Sequence, residues 1–247
     1  MTPPPLPILS LDRVGVAFRQ GGLSLRRRRR FWVLQDISFD LYSGETLGVI
    51  GRNAAGKSTL LRLLAGIIRQ DRGTFVNRGQ STALLSLQAG FVPYLSGREN
   101  AILSGLLLGL RRAEVEEKMQ AIIDFSELGD FIDLPLNSYS SGMRARLGFA
   151  VAYQVDPDIL LIDETLGVGD EAFQAKSSRA MHELIRSDRT IVLVSHAPGT
   201  IQGLCDRAVW IEEGSTRAAG DVAQVLQAYH EWIARRQVAA DGSIRSL

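Results

Sequence analysis

The chain has 247 residues, 45% hydrophobic and 22% charged, with a net charge of +1. That is an ordinary globular composition, enough for one large domain or a domain with a subdomain. So small a net charge gives no global field that calls for nucleic acid, and no nucleic-acid partner is expected. The single cysteine, Cys205, excludes an intrachain disulfide and suits a reducing cytosol. Its apolar flanks read as those of a buried, inert thiol. The longest apolar run, residues 105–110, is too short to span a bilayer. The Thr2-Pro3-Pro4-Pro5 start has neither the basic nor the apolar part of a signal peptide. The chain is read as one that can dock on a membrane without crossing it.

In chain order, residues 7–20 and 31–42 read as strands with several apolar positions at period two. Between them stand five consecutive arginines, Arg26–Arg30. Without these the 28 basic residues fall to 23 against 27 acidic ones, a balance of −4. The run is either a solvated hairpin tip or a contact for anionic lipid headgroups or an acidic partner. A strand at 46–50 leads into a glycine-rich turn and a helical stretch from Ser58. Short β segments follow at 73–77 and 84–87. Helix candidates are 99–110, 113–125 (an apolar stripe of Val115, Met119, Ile122 and Ile123) and 141–154. Continuous apolar runs at 159–162 and 191–194 read as buried parallel strands around a helix at 170–187. Residues 208–211 form the last predicted strand, and 221–235 an amphipathic terminal helix. This order predicts an α/β fold: an N-terminal antiparallel β-layer, a parallel-sheet core and an inserted helical subdomain of ~60 residues.

The turn Gly51-Arg52-Asn53-Ala54-Ala55-Gly56-Lys57-Ser58 fits the phosphate-binding loop G-x-x-x-x-G-K-[ST], and Thr59 follows in the helix. Its glycines let backbone N–H groups wrap a polyphosphate, and the helix start adds positive potential. Lys57 can reach the β- and γ-phosphates, and Ser58 can offer its hydroxyl to Mg²⁺. Hydrolysis needs more groups. Asp163 and Glu164 end the strand at 159–162, where a second Mg²⁺-orienting carboxylate (Asp163) and a water-activating base (Glu164) are expected. His196, just past the strand at 191–194, can hydrogen-bond a γ-phosphate. His182 and His230 sit in helical stretches without a companion motif. A second helix start, Tyr139-Ser140-Ser141-Gly142-Met143, is also suited to an anion.

Together these residues resemble the nucleotide-binding subunit of an ATP-binding cassette (ABC) transporter, over roughly residues 8–220. Tyr139–Met143 stands where most cassettes carry Leu-Ser-Gly-Gly-Gln. With Leu166-Gly167-Val168-Gly169-Asp170, Gly90-Phe91 and Ser96-Gly97-Arg98-Glu99-Asn100, it is similar to the polysaccharide exporters of O-antigen, capsule and wall teichoic acid. The resemblance implies a P-loop NTPase (RecA-like) core, with ATP and Mg²⁺ as cofactors. The β-layer and core would span 8–95 and 156–220, the helical subdomain 96–155, and the terminal helix and tail 221–247. It implies a head-to-tail pair of identical chains, in which Ser140, Ser141 and Gly142 contact nucleotide bound by the partner copy and Asp170 lies at the seam. Gln88 would sense the γ-phosphate, contact Mg²⁺ and link to the membrane subunit. Phe18 would stack on adenine, with Phe31 and Trp32 as alternatives. Two membrane permease subunits, a lipid-linked glycan carried through them, and a place on the cytoplasmic face of the membrane complete the expectation. Other readings are a teichoic acid, capsule, lipid or drug exporter, a soluble cassette protein of DNA repair or translation, and a nucleotide-binding regulator. Ala54 is a departure, standing where most cassettes have glycine. About a dozen residues follow Arg235, too few for a carbohydrate-binding β-sandwich of ~100 residues.

Overall fold

The computed structural model describes residues 6–19, 30–85, 90–163 and 170–244, with side chains in the last helix described as far as residue 236. The chain forms two compact units: one from the residues up to Gln80 and from Asp188 onward, the other Ser81–Ser187.

In the first unit, β1 (Leu9–Arg19) lies antiparallel to both β2 (Arg30–Leu41) and β4 (Arg72–Asn77). Leu9 and Leu11 are buried, and so are Val14 and Val16, which have the opposite parity. A register shift between Leu11 and Val14, with Arg13 at φ 48, inserts the extra residue that lets both pairs face one core. β3 (Thr46–Ile50) is buried at all five positions. It lies between β7 (Thr190–Ser195) and β8 (Arg207–Glu212), parallel to both. A strand buried on both faces has to be apolar throughout, as the unbroken runs at 46–50 and 191–194 are.

A strand absent from the sequence reading, β9 (Ser215–Asp221), folds back on β8, so residues 208–211 are not the last strand. The two-residue link Glu213-Gly214 has φ 51 and 71, both positive, as a tight hairpin turn requires. The strand order in this unit is β4-β1-β2-β9-β8-β3-β7. Helix α1 (Lys57–Leu64) follows β3, and a short helix, α7 (Pro198–Leu204), follows β7. The terminal helix α8 (Val222–Ile244) is longer than expected and buries Val225, Leu226 and Tyr229 against Trp210, Ile50 and Ile201. Cys205 sits in this cluster, where burial pushes its thiol to about 12.

The second unit holds the parallel pair β5 (Thr82–Leu84) and β6 (Ile159–Asp163), with helices α2 (Gly97–Leu107), α3 (Arg112–Glu117), α4 (Met119–Ser126), α5 (Ser141–Tyr153) and α6 (Glu171–Ile185). The strand expected at 84–87 begins and ends earlier, and residues 86–87 lie outside those described. The single helix expected over 113–125 is two. It breaks at Lys118, whose ammonium donates to the Gln154 carbonyl at 2.6 Å, just past the end of α5. The apolar stripe still works as one surface: Val115, Met119 and Ile122 pack with Ile132, Leu136, Leu147 and Val151.

Candidate functional site

The phosphate loop runs from the end of β3 into α1, and its own surroundings dictate its glycines. A Cβ on Gly51 would stand 2.1 Å from the Ile211 carbonyl oxygen of β8. Gly56 is the N-cap of α1 at φ 105, and a Cβ there would meet Leu34 at 2.7 Å. The N-cap residue of α1, Gly56, has no side chain with which to cap the first turn, and a helix start of this kind suits an anion. The longer helices differ: Ser96 caps α2, Ser140 caps α5, Asp170 caps α6, and Asp221 accepts from Gln224 N at the start of α8. Lys57 folds back across the loop, its Nζ donating to the carbonyls of Gly51 at 2.6 Å and Arg52 at 2.9 Å. Ser58 and Asn53 are exposed, Thr59 is half-buried and Ala55 is buried. Ala54, the residue departing from the family, has φ 64. A methyl group in the left-handed region costs roughly 1–2 kcal/mol relative to the right-handed one.

The first unit brings His196 to this loop's level. Ile50, the last residue before Gly51, is paired with Ser195, the last residue of β7. Neighbouring strands lie roughly 4.8 Å apart, so Gly51 and His196 leave the sheet side by side. His196 is exposed, and the turn after it is fixed by the Ala197 N–H donating to Ser195 Oγ at 3.0 Å. Phe18 and Phe31 face each other across β1 and β2 and are exposed, at 42% and 65%. Trp32 has one face covered by the guanidinium of Arg72, 4.4 Å from the ring centre. Of the three aromatic residues, the two phenylalanines therefore retain open surface.

The second unit carries Asp163 as the last residue of β6 and Ser140–Gly142 at the start of α5. Ser140 and Ser141 are exposed. The Ser140 hydroxyl accepts from Met143 N at 3.1 Å. Gly142 is a glycine that nothing here demands. Among the described residues a Cβ on it would meet only Ser140 Oγ, at 3.7 Å, an ordinary contact. Asp170 caps α6 by accepting from Phe173 N at 3.0 Å, and its other oxygen pairs with Arg146 of α5. The Phe173 N–H first, and Arg146 second, hold the Asp170 carboxyl below its ordinary range. Arg146 also pairs with Glu127, which Lys176 holds at 2.7 Å. The sequence motifs gave no sign of Arg146; its position in α5 after the Ser140 cap is the only signal.

Ser96–Asn100, taken from the sequence as a subfamily cue, has a structural task at every residue. Ser96 and Glu99 form a reciprocal cap at the start of α2. Arg98 forks onto Asp133 at 2.7 and 3.1 Å. Asn100, fully buried, bonds the N–H of Val92 and the carbonyls of Val92, Leu95 and Ser96. Gly97 leaves room for the Tyr139 hydroxyl, which would be 2.2 Å from a Cβ there and donates to the Phe131 carbonyl. Segment 92–97 is thereby laced to the segment that ends at Ser140.

Gln88, Glu164 and Leu166–Gly169 lie outside the described residues, as do Arg26–Arg29. An open groove of about 450 Å³ lined by Asp12, Arg13, Gln35, Asp36 and Arg72 lies on the β-layer, and no phosphate-loop residue lines it. No helix among the described residues is long and apolar enough to cross a membrane. Among them no group of three or more His, Cys, Asp or Glu is assembled as a metal site.

The chain is similar to known proteins over most of its length. It is 47% identical over 210 residues to the O-antigen export system ATP-binding protein RfbB of Klebsiella pneumoniae, covering 85% of both chains. It is 41% identical over 208 residues to the teichoic acids export ATP-binding protein TagH of Listeria innocua, covering 84% of this chain and 62% of that one. Its fold matches the ATP-binding cassette MJ0796, solved as a dimer in a post-hydrolysis state with ADP and Pi. The TM-score is 0.68 at 19% identity, over 87% of this chain and 98% of that one. The profile of the ABC transporter family matches residues 34–167. With its phosphate loop in the strand–loop–helix setting the motif demands, the chain belongs to the ABC transporter family.

Proposed function

We propose that this chain is the ATP-hydrolysing subunit of an exporter that moves a lipid-linked, O-antigen-like polysaccharide across the cytoplasmic membrane. It works as a head-to-tail pair of identical chains beneath two permease subunits, on the cytoplasmic face. The carrying observation is the contrast between two helix starts in one chain. That of α1 has no side-chain cap and a loop shaped by its own packing. That of α5 carries a glycine the chain itself does not need. A half-buried glycine at a helix start, where a methyl group would make only an ordinary contact, suits close approach by a group from outside, here nucleotide held by the other copy. The choice of a polysaccharide cargo rests on likeness to RfbB across most of both chains. The likeness to TagH supports a teichoic acid as the second cargo class.

In this reading Gly51–Thr59 wraps the triphosphate, Lys57 turns from the loop carbonyls to the β- and γ-phosphates, and Phe18 stacks on adenine. The donor set suits Mg²⁺. The Ser58 hydroxyl and the Asp163 carboxylate, the latter through water, are hard oxygen ligands, and Gln88 adds a third. When bound, the ion neutralises charge on the β- and γ-phosphates. Glu164 polarises the water that attacks the γ-phosphorus, and the bond to the β–γ bridging oxygen breaks, giving ADP and phosphate. His196 and Gln88 hold the γ-phosphate and register its loss. Ser140, Ser141 and Gly142 of the opposite copy complete the site, and Asp170 lies at the seam. Hydrolysis removes the charge that kept the pair closed.

Glu164→Gln tests this. The variant should still bind ATP, turn over about 10²–10⁴-fold more slowly, as loss of a general base does, and accumulate as an ATP-bound dimer in size-exclusion chromatography. Near-normal turnover would mean that Glu164 is not the base.

A further inference from the structure

The phosphate loop is braced by the β8–β9 hairpin. Gly51 lies against the Ile211 carbonyl, and the Gly214 N–H donates to the Ala55 carbonyl at 3.1 Å. The same hairpin carries Glu212, whose side chain is 6% exposed. Its Oε1 stands 4.0 Å from Nη1 of Arg52, the second residue of the loop, and 3.6 Å from Nη1 of Arg236 in α8. Its Oε2 is buried without a hydrogen-bond partner among the described residues. Both guanidiniums also lie over the ring of Trp232 in α8, whose centre is 6.0 Å from Arg52 Cζ and 4.9 Å from Arg236 Cζ. That ring is fixed edge-on against Trp210, 5.5 Å away, and Trp210 packs edge-on against Tyr229.

Apart from Arg52 itself, this cluster takes no part in the chemistry derived above, yet it bears directly on the loop. Glu212 is the acidic side chain that both Arg52 and Arg236 approach, so it holds the two guanidiniums close to the hairpin. Arg52 is gripped from both ends. Outside, its guanidinium lies near both Glu212 and the Trp232 ring. Inside, its carbonyl accepts from Lys57 Nζ at 2.9 Å and from Ala55 N at 3.2 Å.

We infer that α8 acts on the nucleotide site: Trp232 and Glu212 are positioning residues that hold Arg52, and through its carbonyl they set the loop on which Lys57 rests. This holds only if the loop is the nucleotide site proposed above. The full chain carrying Trp232→Ala, Trp232→Phe, Glu212→Gln, Arg52→Ala or Arg52→Ala with Trp232→Ala is titrated with MgATP and assayed for turnover. Trp232→Ala should weaken MgATP binding and raise KM about two- to fivefold, the worth of one exposed cation–π contact. Turnover at saturating ATP should not change. Trp232→Phe, which keeps a ring face, should restore affinity, and Glu212→Gln should weaken it. In the Arg52→Ala background Trp232→Ala should add nothing. An equal loss in that background would overturn the inference, because the tryptophan would then act by packing alone. So would unchanged affinity in both Trp232→Ala and Glu212→Gln. If Trp232→Ala does not fold, Glu212→Gln with and without Arg52→Ala makes the same comparison. A wild-type chain that fails to bind MgATP would instead sink the nucleotide reading of the loop itself.

Discussion

At the phosphate loop, Gly51 and Gly56 are glycines because the chain's own atoms leave no room for a side chain. At the start of α5, a side chain on Gly142 would meet nothing among the described residues but Ser140 Oγ, at an ordinary distance. The first helix start is built from within: β8 presses on Gly51, Leu34 on Gly56, and Lys57 spans the turn. The second is set in place from behind instead. Tyr139 is buried and tied to the Phe131 carbonyl, while Ser140 and Ser141 face outward. A glycine held for the fold and a glycine held for a visitor look alike in a sequence. Only their surroundings separate them.

Substitution should split the two. Gly51→Ala drives a methyl into the Ile211 carbonyl, and the overpacking should destabilise by about 1–3 kcal/mol or more, visible as a lower denaturant midpoint. Gly142→Ala should leave that midpoint within about 0.5 kcal/mol of wild type while cutting ATP turnover by about 10²-fold through a displaced transition-state contact. Loss of stability at Gly142, or its absence at Gly51, would erase the distinction. The smallest effect is expected at Ala54. Ala54→Gly relieves a left-handed alanine worth roughly 1–2 kcal/mol but adds about 0.4–1 kcal/mol of unfolded-chain entropy. The thermal midpoint should rise slightly or stay put, with nucleotide binding retained. A clear fall in stability would show that the φ 64 conformation carries no strain.

What was legible in the sequence follows from the same physics. Strands β3, β6 and β7 are buried on every side, so their apolar runs are unbroken and their ends fall close to where they were expected. β9 was invisible. Its Ser-Thr-Arg-Ala-Ala-Gly-Asp run has no apolar alternation, and only the turn Glu213-Gly214 and pairing with β8 make it a strand. The break at Lys118 was hidden because the apolar stripe continues through it. Among the proposed site residues, Lys57, Ser58, Asp163 and His196 announce themselves by motif and strand end. The Arg146–Asp170 pair and the Trp232–Arg52 contact do not, because they join distant positions through side chains that no short pattern links.

The central claim is that two copies of the chain complete each site. Lys57→Ala and Gly142→Asp break opposite halves, and each alone should abolish turnover. Mixed in equal amounts, they should form heterodimers in which one site is doubly broken and the other is built from two intact halves. ATPase activity should then reappear, up to about a quarter of the wild-type level if half the dimers are mixed and each has one good site. Silence from a mixture in which heterodimers demonstrably form, or full activity of Gly142→Asp alone, would contradict the account.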